Sequence, residues 1–161
     1  MSVPRDVSVV PVNYNHPATG RPTSGPYREF GDSRGWAAGY EKFIFGYGLT
    51  YTKFEYSDER IEGDEAVATV SNTGSREGVE TVQLYIRQRA CSGGARPVRE
   101  LRGFRRLKLK PGEKAEVRFK LDDAALGYVT KEGKNRTDAG EYRVWIAPDA
   151  GSGKELKFNR G

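Results

Sequence analysis

The residues able to do chemistry are few. The 161-residue chain holds one histidine, His16, and one cysteine, Cys91. One thiol forms no intrachain disulfide, and one thiol with one imidazole builds no zinc cluster. His16 sits in the turn-forming run Asn15-His16-Pro17 and Cys91 in the loop-forming run 90–97, so both read as loop residues. No serine stands in a Gly-x-Ser-x-Gly setting, and Gly46-Tyr47-Gly48 lacks the spacing and the following helix of a phosphate-binding loop. Glu59, Glu62, Asp64 and Glu65 gather in a hairpin-like loop where solvation accounts for them. No two carboxylates stand in apolar surroundings that would tune one of them as a general acid. Asn135-Arg136-Thr137 fits the short glycosylation sequon. The pattern singles out no catalytic, cofactor-binding or metal-ligating residue, and the chain alone is expected to be neither an enzyme nor a cofactor carrier.

Binding chemistry is better supplied. Arg96, Arg99, Arg102, Arg105, Arg106, Lys108 and Lys110 form a basic run able to hold nucleic acid or an acidic polysaccharide. No aromatics interleave on its basic face, as single-strand binders require, and Glu100, Glu113 and Glu116 stand ready as partners. The run therefore reads as a solvent face with a charge-protected strand edge. With 27 cations against 22 anions, net charge is +5, and no nucleic-acid partner is expected. Trp36, Tyr40, Tyr47 and Trp145, if exposed, offer stacking platforms for a carbohydrate. No apolar run approaches the roughly 18 residues of a membrane span. Residues 1–6 carry no charged-then-apolar leader, which predicts a cytoplasmic chain as written.

These side chains must be positioned by short strands. Twenty glycines and eight prolines argue for many turns over long helices. Residues 1–42 are rich in Pro, Gly and Arg. Only 7–14 has β character, interrupted by Pro11, and the aromatics Tyr27, Phe30 and Trp36 suggest draping over a neighbour. At 43–54 (FIFGYGLTYTKF) an aromatic-glycine bend leads into period-2 alternation from Leu49, which predicts a first strand there. Residues 66–71 read as a strand ended by Asn72-Thr73-Gly74. In 79–89, Val82, Leu84 and Ile86 share one face and Thr81, Gln83, Tyr85 and Arg87 the other. Residues 101–109 and 115–121 flank Pro111-Gly112, a type II turn signature, and read as a hairpin, with a bulge at Arg105-Arg106. Asp122 caps a single helical turn to Leu126. Residues 130–137 read as a charged loop. Tyr142, after Asp138-Ala139-Gly140, has the setting of a tyrosine corner, with Val144 and Ile146 beside it in the core. Residues 155–159 close the fold. About seven short strands over roughly 110 residues predict an all-β immunoglobulin or fibronectin-III-like β-sandwich over 43–161, with 1–42 as an irregular extension.

Taken together, these motifs resemble the C-terminal part of the family-3 glycoside hydrolases, the β-glucosidase and β-xylosidase family. Phe45-Gly46-Tyr47-Gly48-Leu49-Thr50-Tyr51-Thr52-x-Phe54 resembles the start of that family's fibronectin-III-like domain. Ser71-Asn72-Thr73-Gly74 with Gly78, Val82-Gln83-Leu84-Tyr85-Ile86, Arg96-Pro97-Val98-x-Glu100-Leu101-x-Gly103-Phe104, Leu109-Lys110-Pro111-Gly112-Glu113 and Gly140-Glu141-Tyr142 follow in order. Residues 4–22 resemble the end of the preceding α/β-sandwich domain and its linker. The family places its nucleophile aspartate in an N-terminal barrel and its acid/base glutamate generally in the α/β-sandwich domain. No residue here matches either motif, so no catalytic residue carries over. Residues 88–94 also depart from the Asp-containing loop usual after the tyrosine strand. The resemblance implies a non-catalytic accessory domain. Its expected partners are the glycoside hydrolase's catalytic domains or a second copy. Tyr40, Phe43, Phe45 and Tyr47 are expected either to be partly covered by residues 1–42 folded back on the sandwich or to stand exposed as the interface through which copies meet. The alternative is a carbohydrate- or protein-binding module. Family members are often periplasmic or secreted.

Overall fold

The computed structural model describes residues 2–4, 13–15, 17 and 41–161. The predicted strand at 7–14 falls largely outside these residues, as do His16, Tyr27, Phe30, Trp36 and Tyr40. Two antiparallel sheets pack face to face. The first has the order β11 (Leu156–Arg160), β10 (Gly140–Ala147), β5 (Gly78–Gln88), β6 (Glu100–Leu109). The second has the order β3 (Phe54–Glu62), β4 (Glu65–Asn72), β7 (Lys114–Lys120). Two short pairs lie outside them: β1 (Val3–Pro4) with β2 (Glu41–Phe43), and β8 (Tyr128–Val129) with β9 (Asn135–Arg136). One helical turn, α1 (Asp123–Leu126), is capped by the Asp122 side chain, which accepts from the Ala125 N–H. The all-β sandwich read from the sequence is thus the observed architecture.

Period-2 alternation builds the core. Val82, Leu84 and Ile86 of β5 and Tyr142, Val144 and Ile146 of β10 face Ala66, Ala68 and Val70 of β4 and Val117 and Phe119 of β7. Each large apolar side chain buried this way contributes about 1.5–3 kcal/mol. The outer face of the second sheet is held differently. Arg60 and Arg118 flank Val67 in register and are bound to Glu62 and Glu116 in common, with Asp58 and Glu65 at the ends. Val67, between them, is fully buried on this otherwise charged face, consistent with the arginine stems lying across it.

Four sequence expectations are corrected. The first strand begins at Phe54, not Leu49, because its partner β4 ends at Asn72, opposite Phe54. Just before Phe54 the backbone bonds to the turn after β4, through Thr73 N–H donating to Lys53 O at 2.8 Å, and to no strand. The carboxylates at 59–65 are not a solvated loop: β3 runs to Glu62, the turn is only Gly63-Asp64, and Glu62 and Glu65 hold Arg118. Residues 101–109 and 115–121 are not a hairpin. The Pro111-Gly112 turn forms, with Glu113 N–H donating to Lys110 O at 3.0 Å and Gly112 at φ +76. It carries the chain from one sheet to the other, and Asn72 clamps it by accepting from Gly112 N–H and donating to Glu113 O. The bulge in β6 falls at Arg102, since Leu84 pairs with Gly103 and Tyr85 with Leu101. It leaves Phe104 58% exposed while Arg102 turns back to cap α1 through the carbonyls of Ala124, Ala125 and Gly127. In addition, the expected loop 130–137 contains the strand β9, which pairs back on β8 just before it, so that its first residues are the turn of a small hairpin.

Candidate functional site

The bend at 43–48 is where the chain meets the outside of the first sheet. Gln83 and Tyr85 point away from the main core, yet both are buried. Their cover comes from the N-terminal side. Tyr47 N–H donates to Ile44 O at 3.0 Å, closing a turn around Phe45-Gly46. Gly46 sits at φ +88, and a Cβ there would lie 2.6 Å from Gln83 Oε1 and 2.9 Å from the Tyr85 hydroxyl, so only glycine fits. Gln83 Nε2 donates to Gly46 O and Pro148 O, and Tyr85 donates to Gln83 Oε1 at 2.6 Å. Ala150 N–H donates to Phe45 O at 2.9 Å. Tyr14 stacks on Phe45 with ring centroids 3.9 Å apart and meets Tyr85 edge-on at 6.3 Å. A second, smaller apolar cluster results, with Tyr85, Trp145 and Ala150 at its centre and Tyr14, Ile44, Phe45 and Leu101 around them.

Arg99 seals the far side. Its guanidinium lies 4.3 Å from the Trp145 ring centroid and donates to the carbonyls of Ala150 and Ser152, each at 2.7 Å. Burial pushes Arg99 below the usual arginine range, and burial likewise pushes the Tyr85 phenol up. Trp145 is therefore only 5% exposed and is no stacking platform, a correction to its reading as one. Alternation along β10 does not reveal this, because the residues that cover it are distant in sequence.

Beside the joint opens a cavity of about 360 Å³, lined by Tyr47, Leu49, Tyr56, Glu80 and Asp149 among others. Tyr56 donates to Glu80 Oε1 at 2.7 Å, tying the two sheets together. Burial, with Asp149 adding to it, raises the Glu80 carboxyl above its ordinary range. The sequence reading had no such carboxyl; Glu80 occupies an outward strand position and is half-covered only by the fold. Past the cavity Leu49 and Tyr51 stand in solvent, 89% and 91% exposed, while Tyr47 stacks against Phe43 at 5.1 Å.

The other singled-out groups lie apart from this joint. The Cys91 thiol donates to Gly94 O at 2.6 Å within its own loop. In the basic run, Arg96 and Arg102 bind Glu100 and Lys108 binds Glu77. Asn135 is exposed in β9. The tyrosine corner forms: Tyr142 donates to Asp138 O at 2.6 Å. The Asp138 carboxylate accepts from the Ser92 N–H and hydroxyl and from Tyr128, each at 2.9 Å, and from Arg136. The Ser92 backbone N–H, ahead of the other donors, holds its carboxyl well below the usual range.

The comparisons with known proteins agree with this geometry. Residues 80–150 match the family model of the fibronectin type III-like domain. The chain is 35% identical to a periplasmic β-glucosidase of Salmonella typhimurium, over 98% of this chain and 22% of that protein. It is 36% identical to a β-xylosidase of Formosa agariphila, over 91% of this chain and 20% of that protein. The solved β-glucosidase of Erythrobacter marinus superposes with a TM-score of 0.81 at 32% identity, covering 98% of this chain and 21% of that one. The chain thus spans about a fifth of the length of the relatives it matches, at 22% and 20%.

Proposed function

We propose that this chain, which carries a fibronectin type III-like domain of the kind found in β-glucosidases and β-xylosidases, is a non-catalytic accessory domain of a family-3-like glycoside hydrolase. Residues 43–161 form the accessory sandwich, and 1–42 are the segment that joins it to the catalytic domains. The observation that carries this reading is the joint. The outer face of the first sheet is buried by Tyr14, Ile44 and Phe45 from the N-terminal side, and the same stretch leaves Leu49 and Tyr51 bare. A surface half sealed by its own connector and half exposed suits packing against a larger neighbour. The role follows: holding the catalytic domains together and shaping the periphery of their site.

A chimera tests it. The matching fifth of the Salmonella β-glucosidase is replaced by this chain. A soluble, active chimera is expected; an insoluble or inactive one, with this chain folded on its own, overturns the reading. The isolated chain is expected to leave aryl-glucosides intact, and turnover that survives repurification would also sink it. The exposed Tyr47 ring beside the 360 Å³ cavity favours a second reading, a carbohydrate-binding module. Glycan binding that disappears in Tyr47→Ala would support it.

A further inference from the structure

The basic run lies on one edge of the first sheet. β6 pairs with β5 on one side and, among the described residues, with no strand on the other. The alternation of hydrogen bonds fixes which of its backbone groups are left over. Arg89 N–H donates to Glu141 O, so the odd-numbered residues of β5 turn to β10 and the even-numbered ones to β6. Gly103, Arg105, Leu107 and Leu109 stand opposite Leu84, Val82, Glu80 and Gly78 and bond to them. Phe104, Arg106 and Lys108 therefore direct their N–H and C=O groups off the sheet. Two contacts agree with this polarity: Leu101 N–H donates to the Tyr14 hydroxyl at 3.4 Å, and Phe104 O accepts from the Arg105 guanidinium at 3.2 Å. Phe104 N–H and both backbone groups of Arg106 and Lys108 are left without a partner among the described residues.

Two other outermost strands are blunted against pairing. β3 carries a bulge between Ser57 and Arg60, with Asp58 at φ +56, and β11 has only five residues. Below Arg102, β6 has neither device. Its residues 103–109 run unbroken against β5, and what guards them is charge. Arg105 and Arg106 are exposed and have no ion-pair partner among the described residues, whereas Arg102 is held by Glu100 and Lys108 by Glu77. On the inner side of the edge lies a cavity of about 410 Å³, lined by Gly103, Arg105, Phe119 and Lys120 among others. Its two carboxylates are already engaged, Glu65 with Arg118 and Asp122 with Ala125 N–H. Like charges set directly opposite one another are destabilising, so this edge repels a second copy of itself. An extended chain that carries carboxylates meets the same cations favourably. A row of donors and acceptors at strand spacing is matched by another polypeptide backbone, and not by a chain of phosphates, which only accept.

We propose that the outer edge of β6 takes an acidic, extended segment of a partner protein as an added strand. Phe104, Arg106 and Lys108 bond its backbone, Arg105 and Arg106 hold its carboxylates, and its inward side chains enter the cavity beside Phe119. The inference rests on the β6 edge and not on the joint, so it stands independently of the accessory role.

The full chain, ¹⁵N-labelled, is titrated with a capped peptide of about nine residues that alternates Glu with Val. The backbone amides of Arg106 and Lys108 are followed by their shifts and their hydrogen exchange. Saturable shifts and slowed exchange at both amides are expected, with affinity that falls as salt rises. The same peptide with Lys for Glu, and the same peptide N-methylated throughout, which keeps the charge but cannot donate, are each expected to bind at least about tenfold more weakly. Arg106→Pro removes an outward N–H that the fold does not use and is expected to abolish binding. Arg106→Glu changes only an exposed side chain, keeps the fold whatever Arg106→Pro does, and is expected to weaken binding at least about tenfold. The proposal is overturned if the Glu-Val peptide leaves exchange at Arg106 and Lys108 unchanged, or if the N-methylated peptide or a single-stranded oligonucleotide binds there as well. Undiminished binding by Arg106→Glu overturns it too, as does slowing of these amides with protein concentration alone, which would make the edge a contact between copies.

Discussion

Asn72 is completely buried and spends its whole carboxamide. Its Oδ1 accepts from the Thr52 hydroxyl and Gly74 N–H, and its Nδ2 donates to the carbonyls of Arg76 and Leu109. One side chain thus joins the segment before β3, the turn after β4 and the end of β6. Asn72→Ala is expected to cost about 2–4 kcal/mol in urea unfolding, because it strands several buried partners at once. Asp138 gives the chain a pH dependence with a defined sign. Its folded carboxyl is more acidic than an ordinary aspartate, led by the Ser92 N–H. Its contribution is therefore present above the unfolded value of about 4 and is lost as pH falls through the lower folded value. Asp138→Asn is expected to lower stability at neutral pH and to flatten the acid limb; an unchanged acid limb would assign it to other carboxylates.

Among elements, the joint rather than any single strand separates this sandwich from a bare one. Phe45 is stacked on Tyr14, bonded to Ala150 and packed over Tyr85 and Trp145. Phe45→Ala is expected to cost about 2 kcal/mol, half the range for a fully buried ring. A chain beginning at Leu49 loses Tyr14, Ile44 and Phe45 together and leaves the Tyr85–Trp145 face bare. It should melt at lower temperature and aggregate, and unchanged stability and solubility would show that the joint contributes nothing. The Pro111-Gly112 turn illustrates a limit of local reading. Its type is legible from two residues, but its destination is not. The same turn closes a hairpin or crosses between sheets depending on which neighbours satisfy the strands, and here Asn72 holds the turn while residues 65–71 of β4 pair with β7.

At the scale of the molecule, the exposed apolar strip is the feature with consequences in solution. Leu49 and Tyr51 project beyond the sandwich beside Tyr47 and Phe43. An isolated chain with this strip uncovered is expected to self-associate at high concentration, and Leu49→Ser with Tyr51→Ser is expected to shift sedimentation toward monomer without changing the melting temperature. A double variant that associates as before would place the contact elsewhere.

Local chemistry alone determined much of this protein. Alternation placed Val82, Leu84, Ile86, Tyr142, Val144 and Ile146 in one core. Asp122 announced its helical turn, and Asp138-x-Gly140 with Tyr142 announced the corner. These are signals whose cause lies within a few residues, so they survive without knowledge of partners. The tertiary structure alone decided which strands meet, where β3 begins, that Arg99 and Trp145 cover one another, and that β6 is left at the edge of its sheet. Each depends on groups brought together from far apart in the chain, where pairing and burial, not local propensity, set the outcome. The expectation that this chain carries no catalytic residue was a reading of residue types. The joint and the β6 edge are properties of place.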